Sequence, residues 1–321
     1  MIETMNSLYV IMTNQCQLNC KFCYTHFVPQ FNSQEKRDCI DPEMVIDKIN
    51  NGIELNGKLV KFDNIIFHGG EPLLYPKEIM QIMDGVKDKK IHFEVQTNMA
   101  YKTLTQDQLK LLTRLGTYGT SYSYDRFPEY YGCDGECAKS YFEHNIKQLG
   151  EMNIRCSVLI TITEEQIKKQ NPLFLFEYLK SLGDGVDYII LERPIFPINE
   201  VKNNKDKYER FYKDVDAYML EFCRIADKYY RINIPDYIER IKEYHVPLYH
   251  NHCSEFTYTL YNNKLKLGCP SLEVRGYDDK EKISTECLEC RYYEYCKSDC
   301  ECMNIVCAFP KKTFDWYYNK K

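Results

Sequence analysis

The sequence predicts an α/β fold built on a parallel sheet, and two observations carry that prediction. Across the first two-thirds of the 321 residues, short β-like runs alternate with helix-like segments, which is the pattern of βαβ units. After about residue 246 the alternation stops and the chain becomes rich in cysteine. Six strands of this kind suit either an open doubly wound sheet or an incomplete barrel, with a domain boundary near 245.

In chain order, the strands are SLYVIM (7–12), DNIIFH (63–68), IHFEVQT (91–97), YGTSYSY (118–124), RCSVLITI (155–162) and VDYIILE (186–192). Each is a short run rich in β-branched and aromatic residues. Helices are predicted between them at 42–56, 76–87, 105–115, 139–151 and 172–182. Asp41-Pro42 and Thr105 followed by Asp107 supply start signals, a capping side chain with proline or acid in the first turn. Residues 205–230 place apolar side chains at 208, 211, 212, 215, 219, 222, 223, 226 and 230, the spacing of one amphipathic helix.

Composition narrows the function classes. Hydrophobic content of 44% with 28% charged residues is that of a globular protein. No apolar run is long enough to span a membrane, so no membrane insertion is expected. MIETMNSLYVIM lacks the regions of a signal peptide, so the expected address is cytoplasmic. A net charge of −5 without a basic block argues against nucleic acid as a partner. Sixteen cysteines are the anomaly: three fall in 16–23, eight in 253–307, and only Cys39, Cys133, Cys137, Cys156 and Cys223 lie between. In a cytoplasmic protein such clusters point to metal or catalysis rather than disulfides.

Cys16, Cys20 and Cys23 follow the first strand directly, at the C-terminal edge of the sheet where α/β proteins carry their active sites. Thiolates suit iron–sulfur clusters, and three of them leave one iron of a four-iron cluster open. A zinc knuckle completed by a residue such as His26 is the alternative on this stretch alone. HGGEPLL (68–74) follows the second strand. Its glycines permit close backbone approach, and Glu71 can accept hydrogen bonds from an ammonium.

CQLNCKFC fits the CxxxCxΦC signature and resembles the radical S-adenosylmethionine (SAM) superfamily, with Phe22 in the aromatic slot and Tyr24 after the last cysteine. The resemblance implies a partial (β/α)6 barrel whose [4Fe-4S] cluster, on Cys16, Cys20 and Cys23, binds SAM and cleaves it to a 5′-deoxyadenosyl radical. It also assigns Gly69, Gly70, Glu71 and Pro72 to the SAM amino group and turns Gln96 and Asn98 toward the active site. Ser123 or Asp125 would hold the ribose, although Asp125 suits an ordinary cap equally well. Arg155 and Arg193 are the candidates for the SAM carboxylate.

The tail resembles the SPASM extension of that superfamily, because Cys287, Cys290, Cys296 and Cys300 form CxxCx5CxxxC. This implies one or two auxiliary [4Fe-4S] clusters. One would use Cys253, Cys269 and Cys300, and another Cys287, Cys290, Cys296 and a later cysteine, Cys302 or Cys307. Gly268 sits closer to Cys269 than the extension's pattern has it, and Cys302 and Cys307 follow early. The division is then a radical SAM core at 1–200, a helical linker closing the barrel at 201–245 and a cysteine-rich iron–sulfur domain at 246–321.

SPASM enzymes mostly modify peptides or proteins. With six residues before the first strand there is no room for a leader-binding domain, so the substrate is expected to bind the barrel mouth and tail. Length, CQLNCKFCYTHF, HGGEP, a lone helical cysteine and the compact tail together resemble the radical SAM peptide epimerases of epipeptide biosynthesis. That implies inversion of L-residues to D-residues in a ribosomally synthesised precursor peptide. Cys223 would act as the thiol hydrogen donor, and an external electron donor such as flavodoxin or ferredoxin would serve the clusters. Two alternatives stand beside it: a crosslinking maturase of the same superfamily, and a non-enzymatic iron–sulfur carrier or metal-binding scaffold.

Overall fold

The structure, a computed structural model, describes residues 6–20, 23, 25, 39–55, 57–127, 135–194, 196–232, 257–261, 264–268, 285–292, 306, 307 and 309–319. In chain order the elements are β1 (Ser7–Thr13), α1 (Pro42–Asn51), β2 (Ile53–Leu55), β3 (Lys58–Val60), β4 (Asn64–Gly69), α2 (Pro76–Gly85) and β5 (His92–Thr97). There follow α3 (Gln106–Leu115), β6 (Thr117–Tyr122), α4 (Gly135–Glu151), β7 (Arg155–Thr161), α5 (Glu164–Lys169), α6 (Pro172–Ser181) and β8 (Val186–Glu192). The remainder comprises α7 (Ile198–Asn203), α8 (Lys205–Ala226), β9 (Arg231–Ile232), β10 (Thr257–Tyr261), β11 (Lys264–Leu267), α9 (Thr285–Leu288) and α10 (Lys311–Tyr318).

All six expected strands form. They join one sheet in the order β11-β10-β1-β4-β5-β6-β7-β8-β9. Every neighbouring pair is parallel except β10 with β11. From β1 to β9 the order never reverses. A doubly wound sheet has a reversal point, so the winding is that of an incomplete barrel. The parallel α/β fold expected from the sequence thus forms. Because the strands run parallel, Thr13, Gly69, Thr97, Tyr122, Thr161 and Glu192 all end at one edge.

Helix starts follow the expected chemistry. Asp41 accepts from the Glu43 backbone N–H at 3.1 Å ahead of Pro42. Thr105 and Gln108 form a reciprocal capping box, so glutamine rather than Asp107 completes that signal. Three boundaries differ. The first helix ends at Asn51 because Gly52 turns the chain at φ 77°, and β2 and β3 form an unexpected hairpin. The fourth begins earlier, at Gly135. The long helix stops at Ala226, although Tyr230 still packs on Phe176 with ring centroids 6.3 Å apart.

The sheet does not end at the boundary near 245. Thr257–Leu260 pairs in parallel with Ser7–Val10, which brings the start of the tail onto the barrel's own edge. The end of the chain is also fixed to the barrel. Asp216, buried on α8, accepts from the backbone N–H of Lys312 (2.9 Å) and Thr313 (3.1 Å) and from the Thr313 hydroxyl (2.9 Å). It therefore caps α10 from a different helix, satisfying donors that a helix leaves open. One apolar core runs from Leu8 to Leu260. Among the described residues, no helix is long and apolar enough to cross a membrane.

Candidate active site

The strand-end edge is assembled by backbone contact between two loops. Past the end of β1, the chain turns through Asn14 and Gln15 into Cys16, and the end of β4 zips onto it. Gly70 N–H donates to Thr13 O at 2.8 Å and Glu71 N–H to Gln15 O at 2.7 Å. This approach requires glycine. A Cβ on Gly69 would stand 2.4 Å from Thr13 O, and one on Gly70 would stand 2.1 Å from Gln15 O. His68, just before the glycines, accepts from Gly69 N–H at Nδ1, and burial lowers its pKa to about 4, so the ring stays neutral at physiological pH.

Glu71 is the residue expected to meet the SAM amino group. It is fully buried, and protein donors take both of its oxygens. Oε1 accepts from Leu73 N–H (3.0 Å) and the Thr97 hydroxyl (2.7 Å), and Oε2 accepts from Asn98 N–H (2.8 Å). Burial raises this carboxyl above its usual range, while those donors pull the other way. The carboxylate ties the 3₁₀ turn Pro72–Leu74 to the end of β5. Pro72 opens that turn and is buried.

The loop after β5 lies against the cysteines. Ala100 and Leu18 pack with Cys20 and Cys23 in a small apolar cluster. Met99 holds a left-handed φ of 55°, and Asn145 of α4 clamps the turn by donating to Met99 O (3.0 Å) and Tyr101 O (2.7 Å). Around the sulfurs, Cys16 Sγ receives Leu18 N–H (3.4 Å) and Asn98 Nδ2 (3.6 Å), while Cys23 Sγ lies 3.0 Å from the Thr25 hydroxyl. All three thiols are thus brought to one edge. Among the described residues, no three Cys, His, Asp or Glu side chains converge on a point sized for a single metal ion. A four-iron cluster takes one thiolate per iron, so its ligand sulfurs stand further apart than those around one ion. The donor set fits such a cluster.

The other expected residues divide. Gln96 lies across Gly119 on β6, where a Cβ would approach its Nε2 to 2.3 Å. Ser123 is fully buried just past β6 and its Oγ has no partner among the described residues, which suits a ligand hydroxyl. Asp125 accepts from Thr163 Oγ1 at 3.0 Å, the residue that caps α5. Sequence reasoning missed Arg126. It is buried beside the same strand end, bonds Ser121 through NH1, and has an Nε–H with no partner among the described residues. Of the two arginines expected for a carboxylate, Arg155 starts β7 at the opposite edge and Arg193 follows β8 at the strand-end edge. Phe22, Tyr24, His26, Cys133, Cys253, Cys269, Cys296, Cys300 and Cys302 lie outside the described residues. In the described part of the tail, Cys287 and Cys290 share one turn, with Cys290 N–H donating to Cys287 O at 3.1 Å, and Cys307 is exposed.

Cys223, the expected hydrogen donor, lies on α8. It sits one turn from the C-terminal end of α8, and Cys223 O accepts from Asp227 N–H. The chain leaving α8 pairs as β9 with Tyr188–Ile189, in the middle of β8. Its side chain, 2% exposed, packs in the main core among Met219, Phe222 and Ala226. The amphipathic pattern that put it on the apolar face gives no information about which end of the barrel the residue occupies. Replacing Cys223 by Ala is expected to cost about 1–2 kcal/mol through lost packing and to leave iron content unchanged. Thermal unfolding and iron analysis of the variant check this.

Comparison with known proteins agrees with this geometry. Residues 10–166 match the model of the Radical SAM superfamily. A radical SAM cyclopropyl synthase, TigE of Paramaledivibacter caminithermalis, is 30% identical over 114 residues, covering 32% of this chain and 24% of that protein. The uncharacterised protein MJ0907 of Methanocaldococcus jannaschii is 33% identical over 105 residues, covering 30% and 32%. The matched stretch thus spans a quarter to a third of the length of these curated relatives. Among solved structures, anSMEcpe with bound AdoMet superposes with a TM-score of 0.69 at 15% identity, covering 98% of this chain and 97% of that one. SuiB of Streptococcus suis bound to the precursor peptide SuiA gives 0.58 at 12% identity, covering 93% and 72%. At such identities these superpositions establish the fold.

Proposed function

We propose that this chain is a radical SAM enzyme that modifies a ribosomally synthesised peptide by closing a bond within it. The observation that carries the proposal is the strand-end edge, where a three-thiol loop is zipped to a glycine turn beside the buried Ser123 hydroxyl and the buried Arg126. Cys16, Cys20 and Cys23 would hold the [4Fe-4S] cluster. The Gly69–Pro72 turn, Gln96, Asn98 and Ser123 would line the SAM side, with Arg126 added for an anionic group. When bound, these groups would supply a 5′-deoxyadenosyl radical for hydrogen-atom abstraction and an acceptor for the electron released on bond closure. The tail cysteines are the proposed ligands of auxiliary [4Fe-4S] clusters, and flavodoxin or ferredoxin the proposed class of reductant. A peptide substrate is supported by the precursor peptide bound to SuiB and by the peptide bound to anSMEcpe.

Inversion of L-residues to D-residues is the second reading, and the comparisons fit it equally well. It needs a thiol hydrogen donor at the reacting carbon, for which Cys223 on α8 is the proposed residue. Other cysteines lie nearer the strand-end edge. Cys39 precedes Ile40, whose N–H donates to Met12 O near the end of β1, and Cys137 is in the first turn of α4. The test is mass spectrometry of the candidate peptide after anaerobic reaction with SAM and dithionite in deuterated buffer. Bond closure makes the peptide lighter by two hydrogens per link, whereas inversion leaves it heavier by one deuterium per residue. Absence of SAM cleavage with intact clusters would sink both.

A further inference from the structure

The Asn98 side chain has one orientation open to it. Its Oδ1 faces the backbone N–H of Ala100 at 2.8 Å and Nε2 of Gln17 at 3.1 Å. A backbone N–H only donates, so the atom facing Ala100 has to be the amide oxygen, and the amide flip is fixed. Nδ2 then points at Cys16 Sγ, 3.6 Å away. The backbone is equally constrained, because Asn98 N–H donates to the buried Glu71 carboxylate. Asn98 is 4% exposed and holds its amide from the buried side, while Cys16 is exposed. With Leu18 N–H at 3.4 Å, two N–H donors meet on one sulfur.

We infer that Asn98 is a positioning residue that tunes the reduction potential of the cluster through an N–H···S bond to Cys16. The inference rests on the proposed reading that Cys16, Cys20 and Cys23 hold an iron–sulfur cluster. Its physical basis is general: hydrogen bonds to the sulfurs, together with net charge and exposure, set cluster potentials. A donor aimed at a ligand sulfur stabilises the reduced, more negative state, so the cluster becomes easier to reduce. The earlier expectation placed Asn98 only as a residue facing SAM. The geometry gives its amide nitrogen to the ligand sulfur and its oxygen to the loop.

The test uses the full chain, anaerobically reconstituted without SAM or peptide, and follows the reduced-cluster EPR signal in a redox titration. Asn98→Asp keeps the acceptor for Ala100 and Gln17 and replaces the donor by a carboxylate oxygen. At the ambient potential that half-reduces the wild type, its reduced-to-oxidised ratio is expected to fall by about tenfold or more, where tenfold is 59 mV for a one-electron couple. Asn98→Ser, uncharged and too short to reach the sulfur, is expected to move the same way by less. It serves if the Asp variant fails to fold. An unchanged potential in a variant with full iron content would overturn the inference. Failure of the wild type to take up a cluster would instead remove the underlying reading.

Discussion

Gly70→Ala is expected to bind the proposed iron–sulfur cluster about tenfold more weakly while the rest of the barrel still folds. The added methyl would meet Gln15 O at 2.1 Å and Gln15 C at 2.6 Å, both backbone atoms that no side-chain rotation can clear. Relief requires Gln15 to move, and the next residue is Cys16. The same displacement stretches the bond from Glu71 N–H to Gln15 O. Overpacking of this kind costs about 1–3 kcal/mol. If that cost falls on the loop, cluster affinity drops roughly tenfold, since about 1.4 kcal/mol is tenfold in binding. Gly116→Ala is the comparison. It sits at φ 74° with open space where the Cβ would go, so it costs stability of about 1 kcal/mol and leaves the cluster alone. Iron and acid-labile sulfide per chain, measured beside thermal unfolding, separate the two variants. Full iron in Gly70→Ala would show that the close approach is not what shapes the loop.

How much of this was legible in the sequence follows from the range of each interaction. Alternating runs and capping residues are local, and they located all six barrel strands and most helices. Strand order is not local. The run of β1, β4, β5, β6, β7 and β8 as consecutive neighbours, which separates an incomplete barrel from a doubly wound sheet, required the pairing itself. The cysteine spacing placed the loop at the strand ends because the order strand, then motif, fixes the edge. The same reasoning does not extend to Cys223. A helix face is readable from periodicity, but the end of the barrel that a residue occupies depends on where it lies along a helix that runs back across the sheet. Arg126 escaped notice because its burial comes from neighbours distant in sequence. The contacts of Asn98 were not legible, since they are made with Gln17, Ala100 and Glu71.

Glu71→Gln carries the other large effect, and it separates two roles for one carboxylate. Three donors from two chain segments meet its oxygens: Leu73 N–H, the Thr97 hydroxyl and Asn98 N–H. A glutamine amide offers one oxygen and one NH₂. Whichever way it turns, the NH₂ faces a fixed backbone N–H, that of Leu73 or that of Asn98. The variant therefore strands a buried donor and loses the charge assistance on the remaining bonds, a cost of about 2–4 kcal/mol. For a chain of this size that corresponds to a fall in Tm of roughly 5 °C. The loss arises in protein without cluster or SAM, because every partner belongs to the chain. It also spreads: Asn98 loses its backbone anchor, and with it the orientation of the amide toward Cys16. Were Glu71 chiefly a ligand for the SAM ammonium, the unloaded variant would melt like the wild type and only SAM affinity would suffer. Melting of the unloaded protein, set beside SAM binding to the reconstituted protein, distinguishes the two. A normal melting temperature with weakened SAM binding would return Glu71 to the cofactor and remove it from the scaffold of the edge.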